Sequence, residues 1–288
     1  MNRVSLGELA YPALLAEDHQ APPVLYWRGD LAVLDRPRVA IIGTRRCTHY
    51  GRQVAARLGR DLAEAGVAVV SGLALGIDGA AHTGALAASG GAPVVGVVGS
   101  GLDVVYPRRH ARLWEDVGSR GLLVSEAPPG AAPEPWRFPA RNRIIAALAQ
   151  AVVVVESHPA GGSNHTVAAA IDRSVPVLAV PGPITSSASA GANRLLAEGC
   201  PPVTHVDDVL VAIGLNPIAP RRERDRRPPP DASGSAVLVA VGWSPSTLDS
   251  ITIRSGLSPT DVAVALTHLE ADGWVRGTAG WWERLAAN

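Results

Sequence analysis

From residue 38 to about 214 the chain alternates short apolar runs with longer stretches of helical periodicity. The runs are RVAIIGT (38–44), VAVVSG (67–72), PVVGVVGS (93–100), GLLVSE (121–126), AVVVVES (151–157) and VPVLAVPG (175–182). Their near-continuous Val and Ile content fits strands buried on both faces of a parallel sheet. Between the first two, GRQVAARLGRDLAEAG sets Val54, Leu58, Leu62 and Ala65 at helical spacing and closes on Gly66, a plausible helix cap. Repeated strand–helix alternation predicts right-handed βαβ units and a doubly wound α/β domain over residues 1–215.

The pattern breaks at residues 216–235, NPIAPRRERDRRPPPDASGS, where proline, charge and small polar residues replace apolar periodicity. This segment is expected to be a flexible linker, with Arg221, Arg222, Arg224, Arg226 and Arg227 solvated or brushing phosphates. Residues 236–288 then read as three helices (AVLVAVGW, STLDSITIRSG, SPTDVAVALTHLEADG) and a hairpin, WVRGTAGWWERL. Ser258 suits an N-cap, Pro259 the first helical position and Asp261 the first turn, while Val262, Leu266 and Leu269 mark one face. That is the pattern of a winged helix-turn-helix, with Trp243, Trp274, Trp281 and Trp282 available to fill it.

Composition narrows the function. The chain has 26 basic and 26 acidic side chains, so net charge gives no signature of nucleic-acid binding. Every cation is an arginine, a planar fork suited to phosphate and to stacking on bases. No apolar run is long enough to cross a bilayer, and no secretory signal is visible, so a cytoplasmic location is expected. Cys47 and Cys200 form no CxxC pair and read as free core thiols.

In an open parallel sheet, ligands sit beyond the carboxyl ends of the strands. The first strand is followed by Gly43, Thr44, Arg45 and Arg46, the second by Ser71, Gly72, Gly76 and Gly79. Tyr106, Arg108 and Arg109 follow the third, and WRFPARNRII (136–145) follows the fourth with Arg137, Phe138, Arg141, Asn142 and Arg143. Gly161, Gly162 and Ser163 follow the fifth. Glycine-rich turns leading into helices, flanked by arginines, make an anion site of backbone N–H groups and guanidiniums. A rim that draws cations from several loops, with Phe138 and Tyr106 among them, suits a polymer of phosphates with exposed bases. The alternative for both rings is a place in the core.

Neither GLALGIDG nor GSGLDV has the glycine spacing of a dinucleotide fingerprint, and a Walker A loop requires lysine. Asp78 and His82 lie four apart on one predicted helix, as a metal pair without a third ligand or as a cap and a hydrogen-bonded histidine. Glu126 and Glu156 end strands, as acid–base groups or as carboxylates orienting arginines. Ser71, Ser125 and Ser163 lack a GxSxG elbow. No nucleophile, base and orienter assemble, so binding without catalysis, cofactor or metal is expected.

YPALL with PPVLYWRG, VAIIGTRRCTHYG, VVSGLALGIDGAAHTGAL, GSGLDVVYPRRH, LLVSEAPPG, FPARNRIIAAL and VPGPI stand in an order that resembles the bacterial DNA-processing protein A family (DprA, or Smf). The resemblance covers roughly residues 11–214 and, more weakly, 236–285. It implies an extended Rossmann-like domain, mostly parallel, that binds single-stranded DNA and helps load the RecA recombinase onto DNA entering during natural transformation. It also implies a homodimer, no membrane association, a phosphate contact for Arg45, and DNA contacts from Arg108 and the FPARNR segment. This chain reads GGSNHT at 161–166 where the family usually has SGSLIT, starts almost directly at YPALL, and carries EGC at 198–200 in place of the usual GA. A competing resemblance is to the lysine-decarboxylase-like phosphoribohydrolases, nucleotide-processing enzymes whose PGGxGT turn PAGGSNHT echoes. A duplex-binding regulator is the third reading. The candidate recognition helix opposes it, offering Asp261, His268, Glu270 and Asp272 where a groove reader carries Arg, Lys, Asn or Gln, so the small domain is expected to contact protein or act as an accessory.

Overall fold

The computed structural model describes residues 2–217, 227–242 and 245–285. The chain divides into two compact units, 1–218 and 219–288.

All six apolar runs of the first unit form strands: β3 Arg38–Ile42, β4 Ala68–Ser71, β5 Val95–Val97, β6 Leu122–Ser125, β7 Ala151–Val154 and β8 Val177–Ala179. Two strands precede them, β1 Asn2–Ser5 and β2 Val24–Gly29. The sheet order is β1-β2-β6-β5-β4-β3-β7-β8, parallel from β6 to β8 and antiparallel where β2 meets β1 and β6. The antiparallel edge was not foreseen. Only Val4 of β1 and Leu25 of β2 are buried, so these strands carry too little apolar alternation to stand out.

Helices cover both faces. Against one lie α2 His49–Glu64, α3 Ile77–Ala87, α4 Ala111–Arg120 and α8 Val206–Ala212. Against the other lie α1 Ala13–Ala16, α5 Arg137–Leu148, α6 Ser163–Asp172 and α7 Ala190–Ala197. Within β3, Val39 and Ile41 enter the first core while Ala40 and Ile42 enter the second. Alternate residues of one strand therefore need apolar character on both sides, which produces the unbroken Val/Ile runs. Gly66, just past α2, has a φ of +81°, the left-handed conformation of a helix terminator.

The winding reverses between β3 and β7. Strands β4, β5 and β6 extend to one side of β3, and β7 and β8 to the other. Loops leaving the carboxyl ends of β3 and β7 diverge to opposite faces and open a crevice there.

The second unit packs α9 Ala232–Val241, α10 Leu248–Ser255 and α11 Pro259–Ala271 with a small sheet of β9 Ser246–Thr247, β10 Val275–Thr278 and β11 Trp281–Arg284. Ser258 caps α11 by accepting from the N–H of Asp261. The core is aliphatic (Val237, Val241, Ile251, Val262, Leu266), with Trp274 and Trp282 only packed against it. Trp281 does not fill it: alternation along β11 turns its ring outward, 53% exposed. Trp243 lies outside the described residues, as do Arg221, Arg222, Arg224 and Arg226. Arg227, expected in a solvated tether, sits 3.8 Å over the Trp274 ring and donates to the carbonyls of Gly273 and Leu285. Helix α9 likewise begins inside the segment expected to be a linker.

Candidate nucleic-acid interface

The crevice holds a cavity of about 600 Å3, lined by Gly43 to Arg46 after β3, Gly161 to Ser163 after β7, and Phe138, Arg141 and Asn142 of α5. Tyr106, Asp78 and His165 are also among its lining residues.

Tight backbone approach shapes the turn after β3. A Cβ on Gly43 would lie 2.5 Å from the Glu156 carbonyl oxygen, so only glycine fits. The Thr44 N–H donates to that same carbonyl at 2.7 Å, tying the ends of β3 and β7 together. The Glu156 carboxylate, 1% exposed, accepts from the Thr48 N–H at 2.8 Å and its hydroxyl at 2.5 Å. Glu156 thus fixes the start of α2 and, among the described residues, orients no arginine, unlike the arginine-orienting role considered from sequence. Arg45 and Arg46 are left exposed at the mouth.

The floor is Arg141. Its guanidinium is buried, donates to the Val97 carbonyl through Nη1, and among the described residues leaves Nε without a hydrogen-bond partner. Burial depresses its pKa to about 10, with Asp78 opposing the shift and Arg45 reinforcing it. Gly72 lies directly against it; a Cβ there would stand 2.2 Å from Nη1. Asp78 accepts from the Gly72 N–H at 3.1 Å, and its pKa is raised by burial. Asp78 and Arg141 attract each other across the base of the cavity. Asp78 is the buried counter-charge to this guanidinium, and the unbonded Nε leaves Arg141 donor capacity for a ligand anion.

Phe138 and Tyr106 are not core side chains. Their ring centroids lie 5.4 Å apart, Tyr106 is 40% exposed, and Arg45 stands 5.0 Å over the Phe138 ring. Asn142 reaches the Gly162 carbonyl at 3.4 Å, joining α5 to the turn before α6. The N-terminus of α6 opens on the cavity without a side-chain cap, so its first turn favours an anion.

The remaining expected site residues divide between this cavity and other places. Ser71 is fully buried and donates to the Ile41 carbonyl at 2.6 Å. Gly72 backs Arg141, and Gly76, with φ +81°, sits against the Thr44 carbonyl at the head of α3. Arg143 pairs with Glu126 through two hydrogen bonds, 2.8 and 2.6 Å, and also donates to the carbonyls of Gln20 and Ala140. Arg137 lies over Trp136, beside a second, smaller cavity. Arg108 and Arg109 are exposed in a short 3-10 turn and do not line the main cavity. Ser163 lines it with its hydroxyl bonded to Ser157 at 2.7 Å. Sequence reasoning missed Asp78 as the counter-charge to Arg141, since it weighed Asp78 as a helix cap or as a metal partner of His82. His82 is the hydrogen-bonded histidine of the second reading, meeting the Val95 carbonyl through Nε2 at 3.1 Å, and among the described residues no set of three metal-ligating side chains comes together.

Residues 2–214 match the family model of DNA recombination-mediator protein A, and residues 221–280 that of the DprA winged helix domain. The chain belongs to the DNA recombination-mediator protein A family. The putative DNA processing protein DprA of Mycobacterium tuberculosis is 41% identical over 272 residues, 92% of this chain and 69% of that one. The DNA processing protein DprA of Streptococcus pneumoniae is 41% identical over 206 residues, 72% of each. The X-ray structure of the Streptococcus pneumoniae DprA superposes with a TM-score of 0.69 at 40% identity, covering 73% of each chain. DNA processing protein A from Helicobacter pylori, described for its single-stranded DNA binding mode, gives a TM-score of 0.65 at 30% identity over 73% of this chain and 95% of that one. In this DprA-family chain, neither Glu126 nor Glu156 lines the main cavity.

Proposed function

We propose that this chain binds single-stranded DNA in the crevice between β3 and β7 and acts as a recombination mediator, protecting incoming strands and helping RecA load onto them. The observation that carries the reading is Arg141: a buried guanidinium with an unpartnered Nε at the floor of a cavity rimmed by Arg45 and Arg46. A backbone phosphate is the anion that compensates such a group, while Phe138 and Tyr106 offer faces to a base. The role is binding without catalysis, performed by a cytoplasmic homodimer. Kinship with the Helicobacter pylori protein supports the choice of single strands.

The test compares oligo-dT with duplex of equal length across a salt series. A preference for single strands, with log affinity falling steeply against log salt, is expected. Equal or tighter duplex binding refutes the reading, and release of ribose phosphate from nucleoside monophosphates favours an enzyme instead. The mediator role is tested by adding this protein to RecA on strands coated with single-strand-binding protein; an unchanged rate of filament growth refutes it.

A further inference from the structure

Helix α5 borders a second cavity on another face. Phe138, Arg141, Asn142 and Ile145 line the main cavity, whereas Arg137, Ala140 and Arg143 line a separate one of about 280 Å3 with Gly99, Glu126, Ala127 and Trp136. Spacings of three and four residues keep each set on its own side of the helix. The volume falls just below the range of about 300–1,000 Å3 typical of drug-sized ligands, which suits a single ring system.

Its chemistry differs from that of the main cavity. Arg143 is neutralised by its bidentate bond to Glu126, and the Glu134 carboxylate lies 3.6 Å from Arg137 Nε. The balance of charge does not favour a phosphate. It favours an uncharged planar group with hydrogen-bonding edges. Trp136, 60% exposed with the Arg137 guanidinium 4.5 Å over its ring, is a stacking platform. Each Glu126 oxygen accepts one bond from Arg143 and keeps a lone pair for a further donor. Among the described residues Arg137 Nε is buried without a hydrogen-bond partner, a donor that an acceptor on the same ligand would satisfy.

We infer that this cavity is a nucleobase subsite, distinct from the main cavity, that takes a base bearing an exocyclic amine from the strand crossing the start of α5. Cytosine fits this description: its N4 amine donates to a carboxylate, and its carbonyl and ring nitrogen accept. Thymine has no exocyclic amine to offer Glu126. The inference rests on the proposed single-strand binding at the main cavity, because the two cavities flank the same helix end and one strand passes both.

The test measures fluorescence anisotropy of labelled oligo-dC and oligo-dT of equal length at one salt concentration. Wild type is expected to hold oligo-dC several-fold more tightly. Trp136→Ala should weaken both by about ten-fold, as loss of a stacked base does, and Trp136→Tyr should restore most of the loss. Glu126→Gln should narrow the dC-to-dT ratio toward one, since a neutral amide is a weaker acceptor. If Trp136→Ala binds both oligomers like wild type while Arg45→Ala loses binding, the subsite is refuted and the main cavity stands. If Arg45→Ala also binds normally, the reading of the main cavity fails and the subsite with it. Equal affinity of wild type for the two oligomers overturns the role given to Glu126.

Discussion

Arg143 and Glu126 face each other across the loop after β6 in a fork-to-fork pair, with N–O distances of 2.8 and 2.6 Å. Arg143 also donates to the Gln20 and Ala140 carbonyls, so this guanidinium fastens α5 to the N-terminal segment. The pair is about a quarter exposed, with side-chain accessibilities of 20% and 27%. It lies between a surface bridge, worth about 0–1 kcal/mol, and a buried one, whose breakage costs about 3–5 kcal/mol. Arg143→Ala is therefore expected to destabilise the fold by roughly 2 kcal/mol, lowering the melting temperature by about 4–8 °C. Calorimetry checks this. An unchanged melting temperature with single-strand affinity as weak as that of Arg45→Ala would make Arg143 a DNA ligand.

Arg45 has the opposite profile. It is exposed at the mouth of the main cavity and its visible partner is the Phe138 ring, 5.0 Å away. Arg45→Ala should leave the melting temperature within about 1 °C, as surface substitutions do. Its salt slope for single strands should become shallower by about 0.7, the release of one counterion. A slope identical to wild type would mean Arg45 touches no phosphate.

Phe138 is half-buried beside Tyr106 and lines the cavity without entering either apolar core. Phe138→Ala should cost about 1–3 kcal/mol of binding, read by titration with oligo-dT. Loss of thermal stability with binding unaltered would make the ring a core residue.

His82 supplies a pH dependence separate from ligand binding. It is fully buried, and desolvation holds its pKa down at about 4 against an ordinary 6.5, outweighing the bond to the Val95 carbonyl. The unfolded chain takes up a proton below pH 6.5 while the native chain resists until about pH 4. The stability associated with neutral His82 is thus complete above pH 6.5 and falls through that window, by up to about 1.4 kcal/mol per pH unit. Melting curves at pH 7 and pH 5 should show a larger drop for wild type than for His82→Gln. Parallel drops would assign the acid sensitivity to other groups.

The candidate recognition helix of the second unit offers no arginine to a DNA surface. Helix α11 exposes Thr260, Asp261, Val264, Thr267 and His268, with no arginine along its length. The first unit has its own two cores, so a chain ending near residue 218 should fold. Its affinity for oligo-dT is expected to stay within about two-fold of the full chain, a loss smaller than that of one phosphate contact. A ten-fold loss would give the winged helix a direct part in binding.

The α/β class, all six parallel strands and the capped third helix of the small domain were legible because each follows from local spacing. A strand buried on both faces must be apolar throughout, and an N-cap serine with proline behind it starts a helix wherever it stands. The loops that could meet a ligand were legible for the same reason, since carboxyl ends of parallel strands share one rim. The division of labour among the arginines of WRFPARNRII was not. Helix phase separates Arg141 from Arg137 and Arg143, but their roles depend on residues distant in the chain: Val97 and Asp78 for one, Glu126 and Gln20 for the other. Burial under Gly72 makes Arg141 the floor of the cavity, whereas a carboxylate within reach makes Arg143 a fastener. Charge and shape along a sequence name the candidates. Which of them keeps its charge for a ligand is decided only where the sheet order places their neighbours.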